Sequence, residues 1–183
     1  MKDTFEIRLA DIAAGAEPRC NQDVVSGGGE LAPIMSAICR WLARYELVRF
    51  EVSGFGQEKW PVDVSVDLAV VAEQIPGVLQ GLLEQREVEL DFYEQGIQRL
   101  LTFERATDDE VTVSCRSGVT GWEPVPQEYV VGRRDVIEML WRFGQRFADI
   151  ARAECPGPTS QAPFRVWLAE LGAATCALHS ASP

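Results

Sequence analysis

Residues 86–116 read REVELDFYEQGIQRLLTFERATDDEVTVSCR, and their spacing decides the fold class. Val88, Leu90 and Phe92 alternate with Glu87, Glu89, Asp91 and Tyr93. Period two describes a strand with one buried face. Glu94-Gln95-Gly96 makes a short turn, with Gly96 suited to positive φ. The chain continues as a strand through IQRLLTFER and turns again at ATDDE. Val111, Val113 and Cys115 then alternate with Thr112, Ser114 and Arg116. The stretch predicts a three-stranded antiparallel meander over about 86–116, one face on a core.

Upstream of the meander, Leu68, Val71, Ala72, Ile75, Leu79, Leu82 and Leu83 recur at helical spacing, with Pro76 expected to kink or split the helix. Before that, Val48, Phe50 and Val52 alternate with polar residues, and so do Val62, Val64 and Val66. The two runs predict a hairpin over about 47–67, with GFGQEKWP at its tip. Residues 30–45 carry an amphipathic helix and residues 4–10 a strand. Between these, 13–29 has no periodicity and reads as a mobile loop. Its Gly27-Gly28-Gly29 lacks the spacing of a phosphate loop.

Downstream, 117–132 holds Gly, Pro and Trp122 and reads as a loop. A long helix follows over 134–154, stopped by Cys155-Pro156-Gly157-Pro158. A last, shorter helix covers about 164–178, and the C-terminus is expected to fray. The sum is a single α+β domain over residues 1–183, an antiparallel sheet packed against amphipathic helices.

Composition narrows the function. Of 183 residues, 46% are hydrophobic and the net charge is −11. That balance argues against a nucleic-acid binder, which carries a basic stripe, and against docking on anionic lipid. No apolar run is long enough to span a membrane, and MKDTFEIRLADI lacks the layout of a signal peptide. A cytoplasmic location is the expectation. Cys20, Cys39, Cys115, Cys155 and Cys176 include no Cys-x-x-Cys pair, so no zinc knuckle or dithiol redox centre is encoded locally. Cys39, Cys115 and Cys176 are expected to be small buried hydrophobes.

The chemistry-bearing residues are sparse. His179 is the only histidine, near the end of the chain, and an end that frays holds no general base. Lys2 and Lys59 are the only lysines. No Walker motif, nucleophile elbow or kinase signature is present. The expectation is a protein that is not an enzyme and needs no cofactor or metal.

What remains is a row of acid. Glu87, Glu89 and Asp91 share one strand face, with Glu84 before and Glu94 after them. Like charges two apart repel unless something offsets them. Arg86, Arg99, Arg105 and Arg116 lie on adjacent segments and offer one offset, and a basic protein partner offers another. Phe55 and Trp60 on the hairpin tip, with Tyr93 and Trp122, are the aromatic anchors such a partner would use. The candidate partner-binding set is therefore Phe55, Trp60, Glu87, Glu89, Asp91, Tyr93, Glu94 and Trp122.

The plan over residues 46–154, with VELDFYEQGIQRLLTFERATDDEVTVSC between helices and an acidic charge, resembles small cytoplasmic immunity proteins of bacterial polymorphic-toxin systems. The resemblance implies a stoichiometric inhibitor of a cognate toxin domain, one that would be basic. Two other classes stay open on the residues alone. One is an adaptor or secretion chaperone that holds a client by apolar contacts. The other is an enzyme with a carboxylate-based site.

Overall fold

The computed structural model describes residues 4–12, 29–93 and 97–180. The loop expected over 13–29 lies outside the described residues except for Gly29, and so do Glu94, the last three residues and the side chains of Cys176 and His179.

The α+β class holds. Among the described residues six strands form two antiparallel sheets, and five helices pack with them. The small sheet pairs β1 (Glu6–Asp11) with β2 (Val48–Ser53), Ile7 opposite Val52 and Leu9 opposite Phe50. Between them in sequence lies α1 (Leu31–Arg44), which buries Ile34, Met35, Ile38, Cys39 and Leu42. The partner of β2 is thus β1, which corrects the hairpin expected over 47–67. The second half of that hairpin is no strand, because short polar side chains claim its backbone. Asp63 Oδ1 accepts the Ser65 amide at 2.7 Å, and Asp67 Oδ2 accepts the Asp63 amide at 2.6 Å. Such local bonds compete with a ladder and turn the chain instead.

That turn leads into α2 (Asp67–Leu83), which runs on through Pro76 as one helix. Pro76 has no amide to give to the Ala72 carbonyl four residues earlier. The Trp167 indole N–H donates to that carbonyl instead, at 2.9 Å in the core.

The meander forms as expected, with β3 (Val88–Phe92), β4 (Arg99–Arg105) and β5 (Glu110–Ser117). A fourth strand, β6 (Glu128–Gly132), pairs with β5 and lies inside the segment read as a loop. Its five residues are too few to show a period against the Pro-rich run before them. The sheet order is β3-β4-β5-β6. Then come α3 (Arg133–Glu154), the single turn α4 (Pro156–Thr159) and α5 (Ala162–Ser180).

One continuous core joins the two sheets and the helices. Leu90, Phe92, Leu101, Phe103, Val111, Val113 and Cys115 line the inner face of the large sheet and are buried. Phe147, Phe164 and Trp167 fill the space between α3 and α5, with the Phe147 and Trp167 rings 5.8 Å apart and edge-on.

Candidate interaction surface

Strand pairing fixes what the outer face of the large sheet presents. One row across it is Glu89, Thr102, Ser114 and Glu128; the next is Asp91, Leu100 and Arg116. A third is Glu104, Thr112 and Val130. Glu87 immediately precedes β3, and Glu110 opens β5. The face therefore carries Glu87, Glu89, Asp91, Glu104, Glu110 and Glu128 against Arg116, around a middle of hydroxyls. Glu87, Glu89, Glu104, Glu110, Glu128 and Arg116 are exposed, so no helix among the described residues covers them.

The arginines offset this acid only in part. Arg116 reaches Glu89 at 3.9 Å, a loose pair between exposed groups. Arg86 is tied to Glu84 at 2.7 Å, and Arg105 bonds Asp108. Glu87 and Asp91 have no basic partner among the described residues. Burial, and after it the charge of Glu89, pushes the Asp91 carboxyl above its usual range. Arg99 gives no offset at all, because it points to the core. It shares odd numbering with Leu101 and Phe103, and that parity in the sequence already marks it as inward.

Arg99 is 3% exposed. Its guanidinium lies 3.5 Å from the Trp122 ring centre and 4.3 Å from that of Trp60. Its Nη2 donates to Gln57 Oε1 at 2.7 Å, whereas Nε and Nη1 have no hydrogen-bond partner among the described residues. Burial pulls its pKa down to about 10. The ring faces take the place of a carboxylate.

This arrangement overturns two of the expected anchors. Phe55 and Trp60 are both 0% exposed. The tip folds inward because Gly54 and Gly56 adopt φ of 125° and 80° around a left-handed Phe55. A side chain on Gly54 would meet the Phe5 backbone at 2.8 Å. Phe55 then stacks 4.8 Å from Tyr129, whose hydroxyl accepts the Phe55 amide. The Trp60 indole donates to the Gly54 carbonyl at 3.1 Å. Trp122 is half-buried over Arg99, and Tyr93 stays 54% exposed beside the acidic row. Of the candidate set, the structure brings Glu87, Glu89, Asp91 and Tyr93 onto one face, and Glu94 lies outside the described residues.

Buried Cys39 and Cys115 match their expected place in the core, and Cys155 joins them. Burial pushes the Cys115 thiol up to about 12 and the Cys39 thiol higher still, so neither is a thiolate at neutral pH. Among the described residues no group of three or more His, Cys, Asp or Glu is placed to hold a metal ion. No helix among them is long and apolar enough to cross a membrane.

No protein-family model, curated protein or solved structure matches the chain.

Proposed function

We propose that this protein is a non-enzymatic binding protein that docks a basic protein partner on the outer face of its large sheet. The observation that carries the reading is an open four-stranded face with Glu87, Glu89, Asp91, Glu104, Glu110 and Glu128 set against Arg116 alone. Opposite potentials speed encounter and select partners more than they add affinity. Tyr93 at the edge of the row supplies an aromatic contact. Neutralisation of a cytoplasmic, basic toxin domain is the role that fits such a surface.

The test is capture from the native cell lysate by the intact chain and by the charge-reversed variant E87K/E89K/D91K. A stoichiometric basic protein should be held by the wild type at low salt, released at high salt, and lost by the variant. Co-expression should then protect cells from the captured protein. Equal capture by both chains would show that the acidic face is not the interface.

A further inference from the structure

Arg99 carries a charge into the core with no acid to meet it. None of the ion pairs among the described residues includes it, in a chain that holds 28 acids against 17 bases. Register puts it there: Arg99 stands opposite Phe92 of β3 and Ser117 of β5, on the inward side of β4. Gln57 engages Nη2. Nε and Nη1 carry most of the guanidinium's donors and meet no hydrogen-bond acceptor among the described residues. Ring faces attract the charge, but they are no substitute for oxygen acceptors in the guanidinium plane. Bare donors on a buried cation are unfavourable, and an anion is the group that satisfies them.

The cover over this guanidinium is Trp122, itself only half-buried. The segment that carries it is tied at its ends. Gly118 donates to the Gln98 carbonyl at 2.6 Å, and Val125 to the Phe55 carbonyl at 3.1 Å. Ser117 and Val119 bond each other. From Thr120 to Pro124 no hydrogen bond is made among the described residues. Gly121 takes φ of 93°, and nothing lies within 4 Å of where a side chain on it would begin. The ring is therefore held by Arg99 and by Trp60, whose ring centre is 6.1 Å away. A segment with so few bonds of its own opens locally at low cost.

We propose that Arg99 is the floor of a binding site for a small aromatic carboxylate, with Trp122 as its movable cover. The carboxylate supplies the acceptors that Nε and Nη1 lack, and the counter-charge. One cation in a dry site matches one negative charge, so a singly charged group fits and a phosphate dianion does not. The net −11 of the chain disfavours the dianion further. The body of the ligand is aromatic because it takes the place of the Trp122 ring, beside Trp60 and Phe92, whose ring centres are 5.3 Å apart. The site lies on the opposite side of the large sheet from the acidic face, so it stands or falls separately from that surface.

The probe is benzoate, titrated into the full chain labelled with 5-fluorotryptophan and nitrogen-15. Benzamide, the same shape without the charge, and inorganic phosphate are the controls. Benzoate should bind saturably, shift the Trp122 fluorine and Arg99 Nε–H signals together, and bind at least tenfold more tightly than either control. Arg99→Lys keeps the charge without the planar donors and should weaken benzoate at least tenfold. Trp122→Ala changes a half-buried side chain, so it keeps the test open where Arg99→Lys fails to fold. It removes the cost of opening and should tighten benzoate threefold or more. Glu94→Gln should leave binding unchanged. Lack of saturable binding, or equal affinity for benzamide or phosphate, would overturn the proposal. Loss of binding in Trp122→Ala would make the ring a wall instead of a cover and overturn it too. A tenfold gain in Glu94→Gln would show that the chain's own carboxylate already takes this place, which also overturns it.

Discussion

Pro76 and Trp167 show how one residue's deficit places another. A proline inside a helix leaves a carbonyl without its donor, and a buried carbonyl left bare costs about 1–3 kcal/mol. The Trp167 indole meets that carbonyl at Ala72. Trp167→Phe keeps most of the ring but removes the N–H, and should destabilise the protein by about 1–3 kcal/mol. Pro76→Ala restores the helix amide to Ala72, so Trp167→Phe should cost about 1 kcal/mol less on that background. Urea unfolding of the four proteins measures the cycle. Additive losses would mean that the indole acts by packing alone. Arg99 is a second case at this scale. Its two aromatic neighbours and Gln57 stand where a carboxylate would be expected, and its depressed pKa records the burial they only partly offset.

Among elements, the edge of β3 is closed by a side chain. Gln74 mimics a neighbouring strand, one donor and one acceptor from a single amide. Gln74→Leu should cost about 1–3 kcal/mol by leaving two backbone groups unmet, and should raise self-association through the freed edge. Denaturation and concentration-dependent light scattering test both parts; an unchanged monomer of unchanged stability would sink the capping role. The β3–β5 meander was legible in the sequence because its alternation is unbroken and its turns are short. The alternation of Val62, Val64 and Val66 looked the same, but the Asp63 and Asp67 carboxylates accept the Ser65 and Asp63 amides and bend the chain. Period alone does not see that competition. Phe55 and Trp60 misled for a related reason. Glycines flanking an aromatic mark a turn, and they equally allow the turn to close inward, as positive φ at Gly54 and Gly56 does here. The acidic row was legible because parity on a strand is enough to place it, and the pairing of β1 with β2 was not, because the two strands lie far apart in sequence.

Over the whole molecule, apolar and charged residues separate across the large sheet. The helices bury its inner face, and the outer face gathers carboxylates on a chain already at −11. Such a surface works against its own fold, because like charges held at strand spacing repel in the folded state more than in the extended chain. At Asp91 the charge of Glu89 adds to the burial that chiefly raises the carboxyl. Salt should therefore stabilise this protein, since the Debye length falls from about 30 Å at 0.01 M to about 8 Å at 0.15 M. Its thermal midpoint should rise over that range, where about 2–4 °C corresponds to about 1 kcal/mol for a domain of this size. The variant E87Q/E89Q/D91N should start higher at low salt and gain less as salt is added. If both proteins melt at one temperature whatever the salt, the face is not under electrostatic strain. A basic partner would relieve the same repulsion that salt relieves, so the slope of stability against salt and the salt sensitivity of binding should shrink together in that variant.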